Sequence, residues 1–495
     1  MNFKRSSGIL LHITSLPGNY GIGTMGKEAY NFINFLVISR QKLWQILPLG
    51  HTGYGDSPYQ CYSAFAGNPL LINLEKLVDE GLLNRQDLPD NIYYPEDQVD
   101  FGKVIDFKYP LLQVAYKNHC AAPDKLRNLR FESFCKKNKK WLNDYAFFMA
   151  LKAHFNNVAW SNWAEDIKLR QPQAVKHYKG LLKEEIEFYK FVQFLFYKQW
   201  LELKSYANLN DIKIIGDIPL YVAFDSSDAW ANTEIFEFDE KMNPKRVAGV
   251  PPDYFSETGQ LWGNPLYNWE YLKSTGFEWW IDRVKANFKL YDMVRIDHFR
   301  GLSAYWAVNF GEETAINGEW IDAPGDELLQ AIKKSLGDLA IIAEDLGVIT
   351  DDVIELRDKY NFPGMKILQF AFDSVEENDF MPHTYNKNCI VYTGTHDNDT
   401  TAGHYKTSAE RDKELMHEYF HVDKNDPAWS FVKLAWSTVA DVAIAPLQDI
   451  LRLNATARMN FPGKPSGYWG WRYSKSMLTD KHAEDLARIT QLYGR

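Results

Sequence analysis

Three acidic residues of this chain each follow a short apolar run that could form a buried strand. Asp297 lies in MVRIDHFRG, Glu344 in AIIAEDLG and Asp397 in VYTGTHDND, at intervals of about fifty residues. Such an interval is long enough for one or two strand–helix repeats, and in a (β/α)8 barrel the strand ends converge on one face, where active sites lie. Carboxyl groups gathered there could break and remake a glycosidic bond.

Retaining cleavage of a glycosidic bond requires an ionised nucleophile and a protonated acid/base. Arg295 precedes Asp297 by two residues, so the two side chains share one face of a strand and the guanidinium can hold an ionised Asp297. Glu344 ends an apolar run, and its burial could raise its pKa and keep it protonated. Asp397 follows His396 and could contact sugar hydroxyls and stabilise an oxocarbenium-like state.

A structural alternative exists for each of these residues. Any one of the three acids could cap the helix that follows it, and His298 and His396 could be structural histidines with satisfied hydrogen bonds. Three acids at three strand ends, one with an arginine partner, favour the catalytic interpretation.

Composition excludes several classes of protein. The 495 residues, 45% hydrophobic and 24% charged, are typical of a globular protein with an ample core, and the net charge of −10 argues against a nucleic-acid or anionic-membrane partner. The GILLHI run near the N-terminus is too short for a signal peptide, and no run reaches the roughly 20 apolar residues of a membrane helix, so a cytoplasmic location is expected. Four cysteines without metal or disulfide spacing predict reduced, mostly buried thiols (Cys61, Cys120, Cys135 and Cys389).

Eight short apolar runs could supply the strands that position the acids. Continuous apolar runs of this length are typical of parallel strands buried on both faces. They predict an α/β fold, a (β/α)8 TIM barrel in which residues 1–495 form one catalytic unit. The runs are Gly8–Ile13, Lys42–Leu47, Ile212–Asp217, Met293–Asp297, Ala340–Glu344, Met365–Phe370, Cys389–Thr393 and Val442–Ala445.

The spacing of these runs also predicts large, mostly helical insertions after strands 2 and 3. Residues 55–210 separate the second and third runs and include Lys183–Tyr206, whose apolar residues recur at helical spacing. Residues 225–290, rich in Trp, Pro and Gly, are predicted to form the second insertion. A smaller insertion, residues 300–338, follows strand 4.

Several longer motifs resemble those of glycoside hydrolase family 77, the 4-alpha-glucanotransferases, also called amylomaltases or disproportionating enzymes. RIDH, ED and HDN occur in the wider α-amylase clan, whereas SPYQ–SAFAGNP and PPDYFS–GQLWGNP are more discriminating. The resemblance extends over nearly the whole chain through SSGILLHITSLPGNYGIG, LPLGHTGYGDSPYQCYSAFAGNPLLI, GDIPLYV, PPDYFSETGQLWGNPLY, RIDHFRG, AEDLG, GTHDNDTTAG and RMNFPGKPSGYWGWR.

The resemblance implies a role for each matching residue. Asp297 would be the nucleophile, Glu344 the acid/base and Asp397 the transition-state stabiliser. The residues implied in substrate binding are Ser57 and Tyr59 at the donor subsite, Asp217 near the same rim, Asp253, Tyr254, Phe255 and Trp262 in a loop over the acceptor side, Arg295, His298 and His396 beside the acids, and Asn460 at the donor site.

The activity implied by the family is transfer of an α-1,4-glucan segment to the 4-hydroxyl of glucose or another maltodextrin, by retaining double displacement through a covalent glycosyl-Asp intermediate. Substrates would be maltodextrins and α-1,4-glucans derived from starch or glycogen, with no cofactor and no metal, and the protein would be a monomer or weak homodimer. Two alternatives differ in class. An α-amylase-like α-1,4-glucan hydrolase would use the same three acids, whereas a catalytically silent glucan-binding protein is disfavoured because Asp297, Glu344 and Asp397 are all present.

Overall fold

The computed structural model describes residues 4–53, 55–89, 92–122, 124–252, 256–373, 378–464 and 467–495. The strands in these ranges are β1 Ser6–Leu10, β2 Leu43–Gln45, β3 Lys213–Pro219, β4 Arg246–Val250, β5 Gln260–Pro265, β6 Met293–Asp297, β7 Ala304–Asn309, β8 Gly318–Asp322, β9 Ile341–Ala343, β10 Gly364–Ile367, β11 Cys389–Tyr392 and β12 Val442–Pro446.

The α-helices in the same ranges are α1 Lys27–Ile38, α2 Leu74–Asp79, α3 Phe101–Ala121, α4 Lys125–Lys137, α5 Lys139–His154, α6 Glu165–Lys168, α7 Pro172–Leu181, α8 Lys183–Leu209, α9 Ser227–Ala231, α10 Trp269–Ser274, α11 Glu278–Leu290, α12 Gly325–Leu336, α13 Asp351–Lys359, α14 Thr401–Thr407, α15 Glu410–Phe420, α16 Pro427–Ser437, α17 Leu447–Ile450 and α18 Asp480–Leu492.

Eight parallel strands form a nearly closed barrel in the order β10-β11-β12-β1-β2-β3-β6-β9. The two end strands, β9 and β10, meet where the N–H of Ala343 donates to the carbonyl of Pro363 at 3.0 Å. Each of the eight predicted runs overlaps one of these strands, so the predicted barrel is confirmed. Strands β1, β2, β9, β11 and β12 are buried along their whole length, as expected for parallel strands covered on both faces.

The long segment between β2 and β3 is mostly helical and contains α2 to α8. Its last helix, α8, packs against α5 and also against α1 and β3. Helix α8 therefore serves two purposes: it is the core of the helical segment and also the helix that connects the second barrel strand to the third.

The segments after β3 and β6 meet in a four-stranded antiparallel sheet of order β5-β4-β7-β8. Strands β4 and β5 come from the first segment and β7 and β8 from the second, and β4 pairs with β7 through Val247↔Val308. The sequence prediction differs, because it treated residues 225–290 and 300–338 as separate insertions and residues 225–290 as mostly helical. The strands RVAGV and QLWGNP are short and contain Gly and Pro, and the pairing that joins them to the rest of the sheet, β4 with β7, is with a strand far along the chain.

All four cysteines are free thiols, but only Cys389 is buried; Cys61 and Cys135 are half-buried and Cys120 is exposed. The prediction of mostly buried thiols is therefore wrong, because three of the four lie in or beside the helical segment, near the surface. In the described part of the chain, every helix is too short or too polar to cross a bilayer.

Candidate active site

One arginine joins two carboxylates at the carboxyl ends of neighbouring barrel strands. Strands β3 and β6 pair with Asp217 opposite Arg295 and Pro219 opposite Asp297. The guanidinium of Arg295 contacts Asp217 Oδ2 through Nη1 at 2.6 Å and Asp297 Oδ1 through Nη2 at 2.9 Å. Asp217 is fully buried at its side chain, whereas the side chain of Asp297 is 29% exposed. The more accessible carboxylate is therefore oriented from behind by a charged, buried partner.

Asp217 also accepts a hydrogen bond from the Tyr59 hydroxyl at 2.9 Å. Burial and the charge of Asp297 together raise the pKa of Asp217 to about 7, against the opposing charge of Arg295. Burial opposes the charge of Arg295, but Asp217 and Asp297 together hold its pKa well above the usual value. The cationic arginine thus remains the fixed centre of this group.

Glu344 directly follows β9, and two backbone N–H groups hold its carboxyl group. The N–H of His298 donates to Oε2 at 2.7 Å and that of Leu346 donates to Oε1 at 2.9 Å. Burial and the charge of Asp297 together raise the pKa of Glu344 to about 8, against the opposing effects of Arg295 and the two N–H groups. At neutral pH Glu344 therefore carries a proton, as a general acid must.

Asp397 lies in the loop after β11, and three side chains hold it. Its Oδ1 accepts a hydrogen bond from Asn460 at 2.6 Å, and its Oδ2 lies 3.3 Å from His396 Nε2. Arg458 donates to the backbone carbonyl of Asp397 at 2.7 Å. The side chain remains 44% exposed, so it is oriented yet open to a ligand.

Aromatic rings form one wall beside these acids. The ring of Tyr59 stacks on His396 with centroids 5.2 Å apart and an interplanar angle of 16°. Trp469 lies 5.7 Å from Tyr59 and 5.8 Å from His396 and has a left-handed backbone, with φ 70°. Sequence reasoning missed Trp469, although its position between two glycines in GYWGWR was a signal of special backbone geometry. Burial lowers the pKa of His396, which is therefore neutral.

His298 lies against Trp262, which belongs to the loop that was predicted to lie over the acceptor side. The rings meet edge to face, with centroids 4.8 Å apart, and burial lowers the pKa of His298 to about 4. His298 Nε2 is buried and has no hydrogen-bond partner in the described part of the protein. The predicted Asp253, Tyr254 and Phe255 lie outside the described residues.

The remaining predicted residue, Ser57, supports Tyr59 from within the same loop, since its Oγ accepts the N–H of Tyr59 at 3.2 Å. The structure thus brings together ten of the predicted residues around one end of the barrel, and Trp262 adjoins one of them, His298. The ten are Ser57, Tyr59, Asp217, Arg295, Asp297, His298, Glu344, His396, Asp397 and Asn460.

The helix-cap alternative for the three acids does not hold. The helix after Glu344 begins at Asp351 with Thr350 as its N-cap, and the helix after Asp397 is capped by the side chain of Thr400. After Asp297 only a short 3₁₀ helix begins, with His298 at its N-cap. The three carboxyl groups are thus directed to contacts within the site.

The charge states of the site suit glycosyl transfer chemistry. An ion-paired carboxylate, a protonated carboxyl group and a third, partly exposed carboxylate lie at neighbouring strand ends, and aromatic rings that could stack on sugars flank them. Among the residues the structure describes, there is no group of three or more His, Cys, Asp or Glu side chains that could hold a metal ion.

Comparison with known proteins places these features in one family. A family model described as 4-alpha-glucanotransferase matches residues 11–479. The 4-alpha-glucanotransferase of Synechocystis sp. is 51% identical over 99% of this chain and 98% of its own length. That of Clostridium butyricum is 48% identical over 98% of this chain and 100% of its own.

Solved structures also resemble this chain. The amylomaltase from Streptococcus agalactiae, in complex with acarbose, has a TM-score of 0.96 and 43% identity, covering 99% of this chain and 100% of its own. The amylomaltase from Corynebacterium glutamicum, at 17% identity and a TM-score of 0.79, covers 99% of this chain and 75% of its own and shows the same fold.

Proposed function

This chain belongs to glycoside hydrolase family 77, the 4-alpha-glucanotransferases, and on that premise we propose that Asp297, Glu344 and Asp397 carry out a retaining glucan transfer. The observation that carries the proposal is the difference in charge state between two carboxyl groups. Asp297 is ion-paired with Arg295, whereas burial raises the pKa of Glu344 to about 8. One group is prepared to attack and the other to donate a proton.

In the first step, Asp297 attacks the anomeric carbon of an α-1,4-glucan while Glu344 gives its proton to the leaving glycosidic oxygen. The bond between the anomeric carbon and that oxygen breaks, the shorter sugar leaves, and a glycosyl ester forms on Asp297. Asp397, which Asn460 and His396 orient, stabilises the positive charge that develops on the sugar ring.

In the second step, the ionised Glu344 removes the proton from the 4-hydroxyl of an incoming sugar. The resulting oxygen attacks the anomeric carbon, the ester bond to Asp297 breaks, and a new α-1,4 bond forms with Glu344 protonated again. Two inversions give net retention. Aromatic contacts such as Trp262 beside His298 would favour a sugar over water as the acceptor.

The substrates we propose are maltodextrins and α-1,4-glucans derived from starch or glycogen, with glucose or a maltodextrin as acceptor. A hydrolase of the α-amylase type would use the same three acids, so the acids alone do not distinguish the two reactions. Family membership is what favours transfer. The two reactions differ in one measurable quantity, because transfer conserves the number of reducing ends and hydrolysis raises it.

The test is incubation of the protein with maltotriose while oligosaccharide lengths and total reducing ends are followed together. We expect glucose and a ladder of longer maltodextrins, with reducing ends nearly constant. A rise in reducing ends without longer products would overturn the transferase proposal in favour of the hydrolase. Asp297→Asn is the control for mechanism: we expect activity to fall at least about 10³-fold, and unchanged transfer would refute the assigned nucleophile.

A further inference from the structure

The loop of residues 50–67, described except for residue 54, carries Ser57 and Tyr59 to the active site. Its first and last residues pair as Gly50↔Gly67, and a second bridge within it joins Thr52 to Cys61. It ends within SAFAGNP (residues 63–69), part of one of the discriminating motifs, yet the proposed reaction gives that segment no role. The loop must hold Tyr59 against both Asp217 and His396. The contacts that fix the loop therefore also fix the position of Tyr59.

Gln193 of helix α8 fixes the end of this loop. Its side chain is fully buried and pairs with both backbone groups of Gly67: the N–H of Gly67 donates to Oε1 at 2.8 Å, and Nε2 donates to the carbonyl of Gly67 at 2.8 Å. The side-chain amide thus makes the pair of hydrogen bonds to Gly67 that the backbone of a neighbouring strand would otherwise make. Four residues along α8, the Tyr197 hydroxyl donates to the carbonyl of Phe65 at 2.6 Å, so two consecutive turns of α8 hold the loop.

The same glutamine is connected to the start of the loop. Its Nε2 also donates to the Tyr145 hydroxyl at 3.2 Å, and that hydroxyl lies 2.7 Å from His51 Nδ1. On the other side, His51 Nε2 lies 2.8 Å from the Tyr109 hydroxyl. Since Tyr145 accepts from Gln193, its own hydrogen is free to go to Nδ1, which leaves the ring proton on Nε2 to donate to Tyr109.

This buried network therefore joins three helices of the long segment between β2 and β3 to both ends of the loop. Tyr109 lies in α3, Tyr145 in α5 and Gln193 in α8. Burial lowers the pKa of His51 to about 3, so His51 stays neutral and the network keeps its hydrogen bonds at working pH. Networks of this kind, when fully satisfied, specify one arrangement of the chain.

Helix α8 also supplies a natural comparison. Gln199, six residues after Gln193, pairs with both backbone groups of Asn73 at 2.7 and 3.1 Å. It is equally buried, at 1% exposure against 0%. Asn73, however, lies outside the loop and caps α2, with its side chain accepting the N–H of Lys76. The two glutamines make the same interaction, but only Gln193 holds the segment that carries Tyr59.

We propose that Gln193 and His51 are positioning residues for the donor side of the active site, which keep loop 50–67, and with it Tyr59, against Asp217 and His396. Neither touches the reacting atoms. The inference rests on the proposed donor-side role of Tyr59, and it gives the helical segment a purpose in the reaction: its helices hold one binding loop in place.

The experiment compares Gln193→Ala with Gln199→Ala in the maltotriose transfer reaction, measuring kcat, KM and Tm for the full chain. Both variants lose the two buried hydrogen bonds to a backbone N–H and carbonyl, and Gln193→Ala also loses the one to Tyr145, so we expect falls in Tm of the same order. For Gln193→Ala we expect kcat/KM to fall about 10- to 100-fold, mainly through KM, because a displacement of about 1 Å at a binding group is enough for such a loss. For Gln199→Ala we expect kcat/KM to stay within about twofold of the wild-type value.

A fall in the folded fraction alone would lower kcat and leave KM unchanged, so equal losses in the two variants, or a loss confined to kcat, would overturn the proposal. Tyr145→Phe, which removes one hydroxyl and no volume, is the milder variant if Gln193→Ala does not fold. We expect it to raise KM severalfold with little change in Tm; an unchanged KM would also contradict the proposal.

Combination with Tyr59→Phe separates this inference from the proposed function. If Gln193 acts through Tyr59, the double variant should lose little more than Tyr59→Phe alone, whereas Gln199→Ala should add its small effect independently. Fully additive losses would mean that Gln193 acts elsewhere. Failure of the reaction proposal would instead appear as transfer retained by Asp297→Asn, whatever Gln193 does.

Discussion

At the residue scale, the decisive feature is the environment of Glu344, since the same side chain must donate a proton and later take one. Burial and the neighbouring Asp297 charge raise its pKa to about 8, while the N–H groups of His298 and Leu346 oppose the rise. The protonated form therefore predominates below about pH 8 and is lost as the pH rises through that value. A general acid with this pKa is available throughout the neutral range.

The predicted consequence is an alkaline limb in the pH profile of transfer. For the wild-type protein, kcat/KM measured with maltotriose should fall as the pH passes about 8, because Glu344 loses the proton it must donate. Glu344→Gln should be about 10²- to 10⁴-fold slower and should lack this limb, while still binding maltodextrin. A wild-type limb that persists in Glu344→Gln would assign the titration to another group.

Individual residues also show where sequence reasoning succeeds. Asp297, Glu344 and Arg295 were predictable because the local pattern, an apolar run with a charged end, places them at strand ends and on a shared face. Trp469 and Gln193 were not, because their importance comes from contacts with the loop that carries Tyr59, far away along the chain. A side chain's partner at such a distance has no local signature.

At the element scale, the contact between helix α8 and the loop end at Gly67 is too close for any side chain at that position. A Cβ atom on Gly67 would lie 2.0 Å from Cε1 of Phe196, a ring within the buried face of α8. We expect Gly67→Ala to destabilise the protein by about 1–3 kcal/mol, because the helix and the loop must move apart. Chemical denaturation measures this change in the free energy of unfolding.

Gly180, in α7, is the matched control, because a Cβ atom added there meets nothing within 4 Å. Gly180→Ala should leave stability unchanged or raise it by up to about 1 kcal/mol, since alanine favours the helix. Equal effects of the two substitutions would show that the close approach at Gly67 is relieved without cost.

Elements differ in how far they could be predicted. The barrel strands were predictable because each overlaps a short, mostly apolar run, which is a local pattern typical of strands buried on both faces. The antiparallel sheet was not, because β4 exists as a strand only through its pairing with β5 and β7. Its residues alternate weakly and include Gly249, so the pattern that defines it is tertiary and not local.

At the scale of the whole molecule, the barrel has one place where strand pairing does not close it, and this place adjoins Glu344. Between β9 and β10, the Asp345 carboxylate makes contacts in place of strand pairing. Its Oδ1 accepts the N–H of Met365 at 2.7 Å, and its Oδ2 pairs with Arg357 at 2.6 Å. A Cβ atom on Gly364 would lie 2.2 Å from this carboxylate, so β10 approaches it closely. Side-chain contacts thus complete the ring of strands next to Glu344, the proposed acid/base, which directly follows β9.

Removal of this carboxylate should therefore weaken the whole barrel as well as the site. We expect Asp345→Ala to lower the free energy of unfolding by about 3 kcal/mol, because it leaves Nη1 of Arg357 and the buried N–H of Met365 without their acceptor. Asp358 is the matched control, since it pairs with the same arginine at 2.7 Å but is 58% exposed, against 6% for Asp345. Asp358→Ala should change stability by less than about 0.5 kcal/mol. Hydrogen exchange should quicken in β9 and β10 of the Asp345 variant alone; equal protection in both variants would mean that the barrel closes without this carboxylate.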